Sequence, residues 1–318
     1  MVNIITYKWS RFKRRVYRLL IKKRKLELII ETSAICNARC VWCWIYNANK
    51  VKPGLMSLEY FKKIIDVNEN FLKKGGWLIQ PFFRGEALMN PRLFDMLDYL
   101  VNKEIDLSYH FDTNLSVQID VKRLMGFPWK EIRVNLGGIT KEVHEKVMRN
   151  TNFELVLENL KEMLKINKDI VYLKVNPTKY NIHQIDKLRD FFVSIGGRPD
   201  KVMPYTTAFI IPYAASIEEK KYFFDNVVSE NVEPYLRFEY DLTKNDFGIK
   251  AKVSGCKFLI PSITFDGEVT VCSHDQMVKI NVGNAFTTPL KTIFNSREYR
   301  TAIRKGRRQE FYFCKECN

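Results

Sequence analysis

The strongest constraint on the fold is an alternation of two hydrophobic periods. A short apolar run, Leu26–Glu31, reads as a strand, and so do Trp77–Arg84, Leu107–Asp112, Ile132–Leu136, Val171–Asn176 and Val202–Tyr205. Between them lie stretches with helical spacing. Ser57 is placed to cap a helix running to about Leu72, with Leu58, Phe61, Ile64, Ile65 and Val67 as most of its apolar face. Pro91–Asn102 turns Leu93, Met96, Leu97 and Leu100 inward; Val121–Gly126, Lys141–Met148, Phe153–Ile166 and Ile182–Ile195 follow. Strand and helix alternating at least five times imply parallel βαβ units. Right-handed crossovers let such units close toward a barrel or open into a doubly wound sheet, and the pattern leaves both open.

Directly after the first strand comes Cys36-Asn-Ala-Arg-Cys40-Val-Trp-Cys43, a C-x3-C-x2-C run. Three thiolates this close can hold three irons of a four-iron cluster and leave the fourth iron open to a substrate; the spacing itself shows a soft-metal site. Zinc usually takes four ligands, and the first histidine in the chain is His110. A redox pair of Cys40 and Cys43 would leave Cys36 without a role.

This motif, with Trp42 just before its third cysteine, resembles the signature of the radical S-adenosylmethionine (SAM) enzymes. The resemblance implies a partial (βα)6 TIM-like barrel, a 4Fe–4S cluster on Cys36, Cys40 and Cys43, and SAM cleaved by one electron to a 5′-deoxyadenosyl radical. It also implies an external one-electron donor such as flavodoxin or ferredoxin. Further segments resemble the family's SAM contacts. Arg84-Gly85-Glu86-Ala87 is similar to Gly-Gly-Glu-Pro, matching at Gly85 and Glu86, which would meet the methionine ammonium group. Asp112-Thr113-Asn114-Leu115 resembles the Thr-Asn-Gly segment and makes Asn114 a nucleoside contact. Arg133–Gly138 with His144 and Arg149 resembles the Ser-Leu-Asp-Gly…His…Arg pattern. There Asn135 takes the ribose position and Arg149 the carboxylate position, a bidentate task suited to guanidinium. Gly137 replaces the aspartate, and Asn176 is a further ribose candidate.

The remaining cysteines are Cys256, Cys272, Cys314 and Cys317. Asp266-Gly267 makes a hairpin turn between Ile263–Phe265 and Val269–Val271, and helices are expected at Leu290–Phe294 and Ser296–Lys305. The C-x15-C … C-x2-C arrangement resembles the auxiliary-cluster region called SPASM when long and twitch when short. A second, fully ligated 4Fe–4S cluster suited to electron transfer is implied; a zinc ribbon is the competing reading of these four residues alone. The expected organisation is a basic arm (1–25), a barrel (26–205), a connecting, substrate-shaping segment (206–253) and an auxiliary-cluster domain of β-hairpin plus helix (254–318).

The chain is 318 residues with a net charge of +16, and ten of its Lys and Arg lie in residues 1–25, where there is no acid. Trp9, Phe12, Val16, Leu19 and Leu20 give that arm near-helical apolar spacing. It therefore suits either an anionic membrane surface or packing against the barrel. Nucleic-acid binding is disfavoured because no binding module is recognisable. No run approaches the roughly 20 apolar residues of a membrane span, nor a signal peptide's apolar core, so a cytoplasmic location is expected, peripheral to the membrane where the arm binds it.

The function expected first is a two-electron oxidation of a hydroxyl-bearing small molecule such as a sugar or aminocyclitol, with the auxiliary cluster accepting an electron. His110, Asp112, Tyr180 and Tyr205 are the proton-acceptor candidates at the barrel mouth. One alternative is a maturase that modifies a peptide or protein by thioether formation, epimerisation or side-chain oxidation. The roughly 25 residues before the first strand are short for a leader-binding domain. The other alternative is a non-catalytic two-cluster electron-transfer protein, which would have no use for the SAM contacts Gly85, Glu86 and Arg149.

Overall fold

The computed structural model describes residues 26–43, 45, 51–204, 238–241, 246–249, 259–311 and 314. Six parallel strands form an arc in chain order. They are β1 (Glu27–Ile30), β3 (Leu78–Gln80), β4 (His110–Thr113), β5 (Glu131–Leu136), β7 (Val171–Val175) and β8 (Val202–Pro204). A bridge from Ile79 to Leu107 joins the two sheets at β3 and β4. Two short strands, β2 (Arg39–Cys40) and β6 (Met148–Arg149), pair outside the arc. Among the described residues six α-helices pack around it before the sixth barrel strand: α1 (Leu58–Gly75), α2 (Leu93–Asn102), α3 (Val121–Gly126), α4 (Lys141–Val147), α5 (Phe153–Asn167) and α6 (Leu188–Ser194). This is the partial barrel, not the doubly wound sheet.

Strand alternation sets the two faces. In β5, buried Ile132, Val134 and Leu136 join the helices in one hydrophobic core, while half-buried Glu131, Arg133 and Asn135 face the inside of the arc. In β4, likewise, Phe111 is in the core and His110 and Asp112 point the other way. The inside is therefore polar, and the apolar burial that holds the barrel lies on its helix side.

The C-terminal hairpin continues the same sheet. β11 (Ser262–Ile263) lies parallel to β1 on its free edge, and β12 (Val269–Thr270) returns antiparallel. Gly267 sits at φ 88 in the turn between them, as a tight hairpin requires. Two helices follow, α7 (Leu290–Asn295) and α8 (Arg297–Arg307). α7 docks on α1 at two points. Leu290 N–H donates to Asn68 Oδ1 at 2.8 Å, and the Phe294 ring stands 5.8 Å from Phe71 and 5.6 Å from Trp77. A further antiparallel pair, β9 (Phe238–Asp241) and β10 (Asp246–Ile249), occupies part of the expected connecting segment. The arm 1–25 and the expected helix Ile217–Val228 lie outside the described residues.

Four expectations shift. Val67 is 57% exposed, because the buried face of α1 runs through Phe61, Ile64, Ile65, Asn68 and Leu72, and residue 67 falls beside it. The strand expected over Trp77–Arg84 stops at Gln80, since Pro81 has no N–H to continue the ladder. The strand placed at Leu107–Asp112 is interrupted after the Leu107 bridge and resumes at His110. The helix expected at Ile182–Ile195 divides into a 3-10 turn, Ile182–Lys187, and α6. Asn181 cannot cap it: its amide donates to Gly137 O and Asn176 O, and its Oδ1 accepts from Thr178.

Candidate active site

The cysteine loop, the Gly85-Glu86 turn and the end of β4 meet at the carboxyl ends of the first three barrel strands. None of Cys36, Cys40 and Cys43 is in a disulfide. Burial, reinforced by Glu86, pushes the Cys36 thiol up to about 12. Burial and the two neighbouring thiols raise Cys40 as well. Thiols so disfavoured as bare anions need a metal charge to ionise them, which fits a cluster site. Among the described residues no three His, Cys, Asp or Glu side chains surround a single ion position. A cubane asks for something else, because each of its cysteines holds a different iron. Asn114 Nδ2 donates to Cys36 Sγ at 3.8 Å and to Asn37 Oδ1 at 2.8 Å, bracing the loop from outside.

Gly85 is required by proximity. A Cβ there would lie 2.4 Å from Ser33 O and 2.6 Å from Ile35 O, both backbone atoms leading into Cys36. Next to it, Glu86 N–H donates to Ile35 O at 2.9 Å. The Glu86 carboxylate is buried and accepts from Asn114 N–H (2.7 Å), Thr113 Oγ1 (2.9 Å) and Leu88 N–H (3.2 Å). Burial outweighs these three bonds and lifts its pKa to about 7. Among the described residues no cationic side chain pairs with this buried carboxyl.

Arg149 also reaches the cysteine loop. β6 pairs with β2 in the register Arg39 with Arg149 and Cys40 with Met148, and Arg149 Nε donates to Arg39 O at 3.0 Å. Asn135 lies on the inner face of β5, its amide donating to Thr113 O at 3.3 Å. Asn176 is buried just past β7, and Trp42 is half-buried in the cysteine loop. His144 has a structural task. Its Nδ1 accepts from Gly137 N–H at 3.1 Å, and burial lowers its pKa to about 4. A Cβ at Gly137 would lie 2.6 Å from His144 O, so close approach of α4 explains the glycine where the resemblance has aspartate.

Of the four proton-acceptor candidates, the fold brings two together. His110 and Asp112 lie on the inner face of β4, where Lys174 Nζ donates to Asp112 Oδ2 at 2.7 Å. Burial pushes the Asp112 carboxyl up, but Lys174, His110 and Arg133 outweigh it and hold it below the usual carboxylate range. Its Oδ1 is buried and has no hydrogen-bond partner among the described residues. Burial holds His110 below its usual range, so it is neutral at pH 7. Tyr180 lies apart, after β7, with Lys146 and Lys179 ammonium groups 4.8 and 5.1 Å from its ring centre. Tyr205 is outside the described residues. Sequence reasoning missed Lys174 and Glu31; the signal was a charged residue inside or at the end of an otherwise apolar strand.

At the second cysteine set, Cys272 and Cys314 are buried, and His274 N–H donates to Cys272 Sγ at 3.4 Å. Asp275 organises that loop, accepting from Thr270 Oγ1, Lys279 N–H and Ile280 N–H. Cys256 and Cys317 are outside the described residues.

The radical SAM superfamily profile matches residues 30–192, just over half of the chain. The chain belongs to the radical SAM superfamily. The profile of the SPASM iron–sulfur cluster-binding domain matches residues 256–318. This radical SAM enzyme therefore works with a 4Fe–4S cluster, SAM and auxiliary iron–sulfur ligation. Curated relatives include the mycofactocin maturase MftC of Mycobacterium tuberculosis, 26% identical over 164 residues, which are 49% of this chain and 39% of the relative. The match thus spans well under half the length of that relative. Solved structures that share the fold include the following three. SuiB of Streptococcus suis bound to the precursor peptide SuiA has TM-score 0.56 and 16% identity, covering 96% of this chain and 73% of that one. anSMEcpe with bound AdoMet has TM-score 0.58 and 17% identity, covering 88% and 83%. BtrN in complex with AdoMet and 2-DOIA has TM-score 0.56 and 12% identity, covering 93% of both chains. Among the described residues no helix is long and apolar enough to cross a membrane.

Proposed function

We propose that this radical SAM enzyme modifies a peptide, replacing the small-molecule oxidation expected first. The observation that carries the reading is the kind of relative it has. MftC is named a maturase, SuiB was captured with its precursor peptide, and anSMEcpe was captured with the Cp18Cys peptide.

Bound together, the cluster and SAM supply a hydrogen-abstracting radical. Cys36, Cys40 and Cys43 would hold that cluster, and Cys256, Cys272, Cys314 and Cys317 an auxiliary one. Glu86, ionised by contact with the methionine ammonium, and Arg149, beside the cysteine loop, would orient SAM; Asn114, Asn135 and Asn176 are the candidate nucleoside contacts. The substrate side is the polar inner face. Asp112 is held ionised by Lys174 and keeps one oxygen free to accept from an N–H or O–H of the substrate. Charges on this face pair off, Arg133 with Glu131 and Lys174 with Asp112, so an uncharged donor suits it better than a second cation. His110, neutral beside Asp112, is the group able to take up a proton there.

A second reading, oxidation of a hydroxyl-bearing small molecule, draws support from the BtrN likeness, which spans 93% of both chains. Anaerobic turnover with SAM and a reductant separates the two. Peptides encoded beside the gene should raise 5′-deoxyadenosine release and change in mass. Stimulation by sugars or aminocyclitols, with none by peptides, would overturn the peptide reading.

A further inference from the structure

Arg84 stands where the resemblance has the first glycine of Gly-Gly-Glu-Pro, and the fold gives it work no glycine could do. Its guanidinium forks onto Glu31, just past the end of β1, with Nε donating to Oε1 at 2.8 Å and Nη2 to Oε2. Arg84 N–H donates to Oε1 as well, at 3.2 Å. Both side chains are sequestered, at 7% and 0% exposure.

Each partner also holds the C-terminal module. Glu31 Oε2 accepts from Phe265 N–H at 3.1 Å, and Arg84 Nη1 donates to Gln276 O at 3.3 Å. Phe265 is at the hairpin tip, and Gln276 is in the loop that begins at Cys272. The same tip lies on the segment after the cysteine loop: a Cβ at Gly54 would fall 2.0 Å from the Phe265 ring. Gly54 O in turn accepts from Ala34 N–H at 2.9 Å, two residues before Cys36. One buried ion pair thus joins the Gly85-Glu86 turn, the end of β1 and the Cys272 loop.

Compared with apolar packing of the same volume, a buried pair gives little net stability. What a forked pair with backbone bonds on both sides does give is a fixed geometry. We propose that Arg84 and Glu31 are positioning residues that lock the Cys272 loop against the SAM-binding turn, setting the spacing between the two cluster sites. This goes beyond the peptide reading and holds whichever substrate the enzyme takes.

Two variants test it. Arg84→Lys keeps the charge and loses the fork; the double variant Arg84→Met with Glu31→Gln removes both charges, so neither is stranded. Amide exchange is followed in the metal-free and cluster-loaded protein. The expected result is at least tenfold faster exchange over residues 265–280 in both variants, with α5 unchanged. Pulsed electron paramagnetic resonance of the loaded protein should show a broadened spread of inter-cluster distance. Wild-type exchange over 265–280 in Arg84→Lys would overturn the proposal. Faster exchange in α5 as well would also overturn it, because the pair would then be a general stabiliser.

Discussion

Glu86 offers the sharpest test of the site's electrostatics. Its carboxyl is raised from the usual 4.5 to about 7 by burial, against three hydrogen bonds. Between these two values the folded chain keeps a proton that the unfolded chain has released. Stability therefore falls as pH rises through this window and levels off above about 7. At 1.36 kcal/mol per pH unit the full span is about 3 kcal/mol, most of which falls between pH 5 and 8. Glu86→Gln cannot titrate. Whatever it loses in hydrogen bonding is the same at every pH, so the stability of the variant relative to wild type should improve by about 2–3 kcal/mol from pH 5 to pH 8. Reversible urea denaturation of the metal-free protein at several pH values measures this. In the loaded enzyme, wild-type SAM affinity should weaken up to about tenfold per pH unit below 7, as protons compete for the carboxylate. A wild-type-to-variant difference that stays level from pH 5 to 8 would refute the reasoning.

Gly85→Ala should cost about 1–3 kcal/mol and lower iron incorporation, because its methyl group meets backbone oxygens that lead into Cys36; denaturation and iron analysis report both. Lys174→Met should lose about 3 kcal/mol by stranding the Asp112 carboxylate, and adding Asp112→Asn should recover most of it in a double-mutant cycle. Cys272→Ser should bring iron from about eight to about four per chain after anaerobic reconstitution, while 5′-deoxyadenosine release continues without substrate.

Local chemistry made a large part of this protein legible. The two hydrophobic periods announced the βα units, Ser57 announced its cap and Asp266-Gly267 its hairpin, because each acts through neighbours within a few residues. Eight consecutive residues were enough to declare a cluster loop. Element ends were less legible where distant groups intervened, as when Asn181 spent its side chain on Gly137 and Asn176 and left the next helix uncapped. Only the tertiary structure decided that the strands curve into a partial barrel with the C-terminal hairpin zipped to β1, since strand order depends on packing between segments over 200 residues apart. Only it, too, could show that Arg84 answers Glu31 and Lys174 answers Asp112. A buried charge takes its meaning from the partner the fold delivers, and no spacing along the chain encodes that partner.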